Sequence, residues 1–452
     1  MKIEFEHLGS IETGSIELND FTVFCGKNNS GKTYAMYVIY GLLEKEFDVR
    51  FSFLKKEVEK LKEHGTASLN VHEIISEYRE EMITHIQQHL KKYFPRLFCV
   101  SDDEFVKTVV RLYVDDNGLE ENAINKSDLR MLSLGKSKEK SFTMEKEAGS
   151  ELILLTLQNT EIPNGLLLDF ISKGLISVVF TSLSKNSFLL PAERAGLNLF
   201  FKELSSTRNL LLQHAKKDSV DPMALLKDIM TSRYADPIQD YIQYLNKVGS
   251  LRKEKGFYGG YAKDIQKRVL SGKYDIDAQG NVSFTPYKTN NKKLPLHFSS
   301  STVKTLFGLV FYLEHLAQEG DCLMIDEPEL NLHPDNQRQV ARVLAQLVNS
   351  GLKVIVSTHS DYFVRELNNL IMLKKDFSGK AGLQKKYGYN DNELLDSSKV
   401  SAYLFDDKKI SIMKMDVDEG IIATTFDEVI NNLNKSSNEI FYTMQDAKEI
   451  ND

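Results

Sequence analysis

Cysteines, paired histidines and long apolar runs are scarce in this sequence, and each scarcity excludes a class of protein. The three cysteines, Cys25, Cys99 and Cys322, are isolated and have no CxxC spacing. They have the pattern of reduced core thiols, and neither a disulfide framework nor a zinc site is expected. No apolar run approaches the ~18 residues of a membrane helix, and the N-terminal MKIEFEHLGS alternates like a strand, unlike a signal peptide. We therefore expect a cytoplasmic chain that does not cross a membrane.

The histidine spacing argues against a metal site, and the net charge argues against a protein that coats DNA nonspecifically. Only His85 and His89 have the spacing of a metal-ligand pair, and no third ligand lies near them in the sequence, so we expect ordinary helix residues there. The net charge of −7 excludes a polycation that coats DNA with its whole surface. It leaves a local basic face open, because whole-chain charge does not describe patches.

Two kinds of pattern alternate along the chain. Residues 1–44 have the pattern strand, turn, strand, loop, helix, and residues 300–371 alternate helix and strand, as in a parallel sheet covered by helices. Long charged helical patterns lie between them, and GKYDIDAQGNVSFTPY predicts a hairpin around Gln279, Gly280 and Asn281. The expected fold class is α/β: a split head with a parallel sheet core, flanking helices and an antiparallel N-terminal part, plus helical insertions.

The expected boundaries divide the chain into six segments. They are 1–45 (first half of the head), 46–180 (mainly helical insertion), 181–197 (strand returning to the head), 198–272 (helical insertion), 273–375 (second half of the head) and 376–452 (small C-terminal α/β cap).

The stretch FCGKNNSGKTYA fits the pattern of a phosphate-binding loop, G-x-x-x-x-G-K-[ST], between a buried strand and a helix. Glycines let the backbone N–H groups wrap around phosphate oxygens, and the helix adds its positive N-terminal end. Lys32 would hold the β- and γ-phosphates, and the Thr33 hydroxyl would bind Mg²⁺. The predicted nucleotide-binding residues are Gly26, Lys27, Asn28, Asn29, Ser30, Gly31, Lys32 and Thr33. The alternative is a plain strand-to-helix turn.

Two further apolar strands end in polar residues that complete such a site. CLMIDEPELNLHP ends its strand with Asp326, a predicted Mg²⁺ ligand, and Glu327, a predicted general base for the attacking water. KVIVSTHSDYF ends with His359, which would contact the γ-phosphate and this water. His359 follows Asp326 after one helix and one strand, which places both strand ends at one edge of a parallel sheet. The alternatives are an ordinary acidic turn and a polar strand end.

Together the loop, IDEPELNLHP and STHS resemble the ATP-binding-cassette ATPases, and more narrowly their SMC-like and OLD-type (overcoming lysogenization defect) branch. The resemblance covers about residues 1–40 and 270–375. It implies an ATPase head that uses ATP and Mg²⁺. His333 occupies the place of the D-loop aspartate in that family.

The resemblance also implies a signature that contacts ATP held by another subunit. Here LHFSSSTVKTLFGL has Ser299, Ser300 and Ser301 in that place, before an apolar helix. The departure is Ser301, where the family usually has glycine, and this puts in question how closely the backbone approaches the phosphate. The alternative is a serine N-cap.

LLPAERAGL resembles a strand-end segment of OLD-type and related defence ATPases, near the position of their glutamine loop. Glu193 or Arg194 would touch Mg²⁺, the phosphates or the partner subunit. The alternative, held equally open, is a structural ion pair in a turn.

The family mechanism implies a homodimer or higher oligomer, in which ATP joins two facing heads and hydrolysis by Glu327 releases them. Only 93 residues follow His359, which is short for a Toprim nuclease domain, so no intrinsic nuclease is expected. Asp416 and Asp418 are expected to form a solvated acidic turn. Standalone ATPases of this kind resemble those of anti-phage systems of the Septu, PARIS and retron-associated types, which act with a separately encoded nuclease or toxin.

Three other functions remain open at this point. A DNA repair or recombination clamp would need a basic stripe, for which KTNNKK (288–293) is short. A transporter ATPase is disfavoured by the helical insertions and DEPELNLHP. A binding module without turnover is disfavoured by the intact Lys32, Asp326, Glu327 and His359.

Overall fold

The computed structural model describes residues 1–44, 47, 49–114, 116–136, 139–180, 186–215, 234–288, 292–416, 418–422 and 424–449. Three stretches named in the sequence analysis lie outside these residues. They are 181–185 before the returning strand, 216–233 in the second insertion, and 289–291 within KTNNKK. Among the described residues, no helix is both long enough and apolar enough to cross a membrane.

The strands, in chain order, have the following bounds. They are β1 (Lys2–Leu8), β2 (Ile11–Glu17), β3 (Phe21–Gly26), β4 (Thr66–Asn70), β5 (Val109–Tyr113), β6 (Leu129–Lys136), β7 (Glu139–Lys146), β8 (Leu152–Leu157), β9 (Ser187–Leu190), β10 (Gly272–Ile276), β11 (Val282–Pro286), β12 (Leu294–Pro295), β13 (Cys322–Asp326), β14 (Lys353–Thr358), β15 (Val400–Asp406), β16 (Lys409–Ile412), β17 (Met415–Asp416) and β18 (Gly420–Ile421).

The α-helices have the following bounds. They are α1 (Lys32–Leu43), α2 (Lys55–His64), α3 (Val71–Phe98), α4 (Asp116–Asn125), α5 (Asn164–Val179), α6 (Arg194–Ala215), α7 (Asp236–Leu251), α8 (Gly259–Ile265), α9 (Ser301–His315), α10 (Pro334–Asn349), α11 (Asp361–Met372), α12 (Lys380–Tyr387) and α13 (Thr424–Glu449).

A nine-stranded sheet forms the centre, in the order β5-β1-β2-β16-β15-β3-β14-β13-β9. The strands from β15 to β9 are parallel, whereas β1 pairs antiparallel with β2 and β5. The fold class is therefore the predicted one, a parallel core with an antiparallel N-terminal part. The predicted hairpin is also confirmed, since β10 and β11 pair antiparallel.

The parallel strands are buried on both faces, as continuous apolar runs require. In β13, Cys322 and Met324 belong to a hydrophobic cluster shared with α1 and α3, whereas Leu323 and Ile325 belong to one shared with α9 and α10. Because side chains alternate along a strand, the central strands join these two hydrophobic clusters.

Cys25 and Cys322 are buried as predicted, but Cys99 is exposed. It ends α3 with a left-handed φ of 55°.

The expected cap over 376–452 needs correction, because its two strands belong to the head. β15 pairs in parallel with β3, from Val400 beside Phe21 to Phe405 beside Gly26, and β16 pairs with β2. The apolar residues of VSAYLFD thus fill the middle of the central sheet and do not cover it from outside. Residues 400–412 therefore belong to the central sheet and do not form a separate cap.

The first insertion also contributes more strand than expected. β4, β8, β7 and β6 form a separate antiparallel sheet, and β5 joins the edge of the central sheet beside β1. Helices α2 to α5 accompany these strands. The segment 46–180 is therefore a mixed α/β insertion that contacts the head through β5, which pairs with β1, and through α3, whose Phe98 packs against Tyr34 and Tyr37 of α1.

The placement of β15 predicts the effect of Phe405→Ala on stability. Phe405 is fully buried and its ring lies 5.2 Å from that of Phe24, so truncation should lower the free energy of unfolding by about 3–5 kcal/mol. Urea denaturation measures this. Ile412→Ala in β16 is the control: that side chain is 72% exposed, and a change within about 0.5 kcal/mol is expected. Equal, small effects of both substitutions would contradict the central position of β15.

Candidate active site

The carboxyl ends of three neighbouring parallel strands bring the predicted motifs together. In the register of the sheet, Asp326 at the end of β13 lies beside Ser357 of β14, and Thr358 lies beside Cys25 at the end of β3. The loop after β3, the acidic pair after β13 and the histidine after β14 therefore leave the sheet at one edge. Ligand sites of α/β proteins lie at this edge.

Two glycines of the loop are required by its geometry. Gly26 has φ 142°, and a Cβ there would lie 2.3 Å from the carbonyl oxygen of Phe405. Gly31 has φ 102°, and its Cβ would lie 2.6 Å from Cγ1 of Ile11. Between them Asn29 is also left-handed, with φ 62°. Gly31 caps α1 without a side-chain hydrogen bond, so the first turn of this helix offers backbone N–H groups to an anion.

Lys32 turns back over this loop. Its buried ammonium donates to the carbonyl oxygens of Gly26 at 3.0 Å and Lys27 at 2.7 Å, and to Ser30 Oγ at 3.4 Å. Burial lowers the pKa of Lys32, and the nearby Asp326 and Glu327 oppose this effect. The cation is thus held at the mouth of the loop, whereas the Lys27 side chain is exposed beside Asp406.

Thr33 joins the loop to the acidic strand. Its hydroxyl donates to Asp326 Oδ2 at 2.9 Å, and the Ser357 hydroxyl donates to the other carboxylate oxygen. A hydroxyl and a carboxylate are oxygen donors of the kind that Mg²⁺ uses when nucleotide phosphates supply further ligands. No group of three or more His, Cys, Asp or Glu in the described part of the chain could hold a metal by itself. As oxygen donors, Thr33 and Asp326 fit a magnesium ion that arrives with its nucleotide.

Glu327 lies beside His359. Its Oε1 is 3.3 Å from His359 Nε2, and this hydrogen bond lowers the pKa of the Glu327 carboxyl below its usual value. The residue has a left-handed φ of 51°, and its N–H donates to the carbonyl oxygen of Ser357 at 3.0 Å. An ionised carboxylate is what a general base for water requires.

Two further residues belong to this cluster and were not identified from the sequence. Glu329 accepts from the His359 backbone N–H at 2.6 Å, and burial raises the pKa of Glu329. Ser357 supports Asp326 as described above. The available signals were the second glutamate of DEPEL and the first serine of STHS.

Glu193 and Arg194 are neighbours in the chain but lie in different environments, one exposed and one buried. Glu193 is exposed, and its charge, with that of Asp326, adds to the burial that raises the pKa of Tyr37 in α1. Arg194 is buried and donates to the carbonyl oxygens of Pro191, Asp326 and Glu327. Its hydrogen bonds therefore go to backbone carbonyl oxygens.

The serine signature lies at the start of α9. Ser300 is the N-cap, and its hydroxyl accepts from the Val303 N–H at 3.4 Å; Ser299 donates to the Pro295 carbonyl oxygen. Ser300 and Ser301 are exposed. The N-cap alternative thus describes Ser300, and the helix start at Ser300 and Ser301 faces solvent.

His333, in the place of the D-loop residue, is the N-cap of α10. Its Nδ1 accepts from the Asp335 N–H at 3.4 Å, and its ring is exposed.

In the C-terminal segment, the Asp416 carboxylate accepts from the Asp418 N–H at 2.7 Å, and the Asp418 side chain is paired with Lys375. These two aspartates form the exposed acidic turn that the sequence predicts.

A glycine loop with its lysine, an acidic strand end and a histidine at one sheet edge define the class of P-loop ATPases. A family model described as AAA ATPase domain matches residues 1–364. This match spans most of the chain, and the protein belongs to the AAA ATPase domain family. No curated protein matches the chain.

Solved structures that the chain resembles include SMC head domains. The SMC head domain from Thermotoga maritima is 12% identical, with a TM-score of 0.30, over 92% of this chain and 98% of that one. The SmcHead bound to the C-winged helix domain of ScpA is 12% identical, with a TM-score of 0.31, over 91% and 96%. The Smc head domain with an extended coiled coil bound to the C-terminal domain of ScpA, derived from Pyrococcus furiosus, is 11% identical, with a TM-score of 0.33, over 95% and 98%. Similarity this low gives no information about the activity or assembly of this chain.

The environment of Lys32 predicts that Lys32→Met removes ATP binding without unfolding the chain. A ligand at 100 times its Kd adds about 2.7 kcal/mol to the free energy of unfolding, so saturating Mg·ATP should stabilise the wild type against urea and leave the variant unchanged. Lys408→Met, which removes an exposed lysine paired with Glu12, should keep the ATP effect. Equal stabilisation of all three proteins would contradict a role of Lys32 in binding.

The Glu327–His359 contact predicts a pH dependence. Because the contact lowers the pKa of Glu327, the base stays ionised to lower pH in the wild type, and activity is lost only as pH falls through this lowered value. In His359→Ala the acidic limb of kcat/KM against pH should move to higher pH. His64→Ala, at an exposed histidine, should leave the limb in place. An unmoved limb in His359→Ala, with the fold checked by circular dichroism, would exclude this coupling.

Proposed function

We propose that this ATPase hydrolyses Mg·ATP at the edge formed by β3, β14 and β13, with Glu327 as the general base. The observation that carries the proposal is the hydrogen bond between Thr33 and Asp326, which joins the phosphate loop to the acidic strand. Glu327 follows Asp326 directly and points at His359. Its carboxylate is therefore next to Asp326, the proposed Mg²⁺ ligand, but contacts His359 and not Thr33.

Each residue then has a separate task. Lys32 and the backbone N–H groups of the loop bind the phosphates, and Thr33 and Asp326 hold Mg²⁺, which neutralises charge on the phosphates when it is bound. Glu327 takes the proton of the attacking water. His359, fixed through its backbone by Glu329, keeps Glu327 ionised and contacts the water or the γ-phosphate.

ATP also joins two copies of the head, with the loop of each facing the serine signature of the other. Support comes from the first turn of α9, where Ser300 and Ser301 are exposed and the neighbouring Phe298 is an exposed aromatic side chain. A helix N-terminus with exposed hydroxyl groups is a suitable contact for the phosphates of a facing subunit. The dimer forms with ATP and separates after hydrolysis.

The cellular role that we propose is that of a sensor or scaffold subunit in an anti-phage defence system, acting with a separately encoded nuclease or toxin. Support comes from DEPELNLHP, which resembles the OLD-type branch. The alternative is an SMC-like repair ATPase that clamps DNA. It predicts DNA binding that weakens steeply with salt, whereas the defence role predicts a functional effector gene beside the gene for this chain.

The mechanism predicts that Glu327→Gln traps a dimer with ATP. Without the carboxylate, the chain binds Mg·ATP and loses turnover by a factor of about 10²–10⁴, so the ATP-bound state persists. Size-exclusion chromatography with light scattering should show twice the monomer mass with ATP and one monomer mass without it. Lys32→Met in the same background is the control and should stay monomeric. A Glu327→Gln protein that binds ATP and remains monomeric would contradict the facing-heads mechanism.

A further inference from the structure

We propose that Arg194 is a positioning residue for hydrolysis, which holds the backbone of Asp326 and Glu327 and links it to the helix that leads into the second insertion. This inference rests on the proposed role of Glu327 as the general base. It assigns to Arg194 neither a contact with ATP nor a contact with a partner subunit.

The guanidinium of Arg194 is enclosed by backbone carbonyl groups. One terminal nitrogen donates to the carbonyl oxygen of Asp326 at 2.6 Å and to that of Pro191 at 3.0 Å, and the other donates to that of Glu327 at 2.6 Å. Arg194 is 2% exposed. A buried cation is costly unless its donors are satisfied, and here charge-assisted hydrogen bonds satisfy them. The arginine therefore fixes the peptide groups on both sides of Glu327.

This fixation matters because Glu327 has an unfavourable backbone conformation. A left-handed φ costs a residue with a side chain roughly 1–2 kcal/mol, and Glu327 has φ 51°. Its N–H is held by the carbonyl oxygen of Ser357 at 3.0 Å, and its own carbonyl oxygen is held by Arg194. The two hydrogen bonds keep the turn in the conformation that brings the Glu327 carboxylate to His359.

The same helix end also contacts the signature helix. Arg194 is the first residue of α6, and Asn198, one turn later, donates to the carbonyl oxygen of Lys304 in the first turn of α9 at 2.7 Å. Asn198 in turn accepts from the hydroxyl of Tyr241 in α7 at 2.8 Å. A shift of α6 would thus act on the base and on the serine signature together. This gives the second insertion a physical connection to hydrolysis.

Negatively charged residues near Arg194 favour its charged form in the buried position. Burial lowers the pKa of Arg194, and Tyr241, Asp326, Glu329 and Glu327 oppose this. The carboxylates of the site thereby help to keep the arginine charged in the interior.

The test compares Arg194→Lys and Arg194→Gln with the wild type. A lysine keeps the positive charge but lacks the planar fork that reaches several carbonyl groups, so both variants should release Glu327. A displacement of about 1 Å can cost about 10² in rate, and we expect kcat to fall by about that factor while KM and the Kd for ATP stay within about twofold.

Matched controls separate positioning from general stability. Arg342→Lys changes another buried arginine, paired with Glu366 in α11, and should lower thermal stability without changing kcat by more than about twofold. In the Glu327→Gln background, Arg194→Lys should cause no further loss of rate, since the group that it positions is gone.

Three results would overturn the inference: an unchanged kcat in Arg194→Lys, a loss of ATP affinity equal to the loss of rate, or failure of both Arg194 variants to fold where Arg342→Lys folds. A different result would count against the proposed function itself. If Glu327→Gln alone hydrolyses ATP at the wild-type rate, Glu327 is not the base, whatever Arg194 does.

Discussion

The site depends on the parallel register of β3, β14 and β13, because this register alone brings together residues 293 positions apart. Thr33 lies on the first turn of the helix after β3, and Asp326 ends β13. Their hydrogen bond of 2.9 Å closes the edge of the sheet between the phosphate loop and the acidic turn. A slip of one residue in either strand would turn the side chains to opposite faces and separate the two groups. The apolar clusters on both faces of the sheet hold this register.

The charged side chains at this edge of the sheet form hydrogen bonds with partners inside the fold. Lys32 donates to carbonyl oxygens of its own loop, Arg194 donates to those of the acidic turn, and Glu329 accepts from the His359 backbone. Each charged group thus has a partner that fixes its place before a nucleotide binds. Such preorganisation is the main source of electrostatic stabilisation in enzymes, because the protein does not have to rearrange during the reaction.

The motifs could be predicted from the sequence because each depends on neighbouring residues. Gly26 and Gly31 are required by local backbone geometry, and Asp326 ends a strand whose apolar run is unmistakable. The position of β15 could not be predicted: its apolar pattern suits any buried strand, and pairing with β3 is a long-range choice. Arg194 was found but not its partners, since hydrogen bonds to backbone carbonyl oxygens leave no mark on residue type.

The most direct test of the central claim is a crystal structure of the chain with Mg²⁺ and a non-hydrolysable ATP analogue. The account predicts the triphosphate within the loop from Gly26 to Thr33, with Lys32 turned from the loop carbonyl oxygens to the phosphates. The metal should lie about 2.0–2.1 Å from the Thr33 hydroxyl, with Asp326 bound to it directly or through one water. A nucleotide bound elsewhere, or a metal that contacts neither Thr33 nor Asp326, would contradict the account.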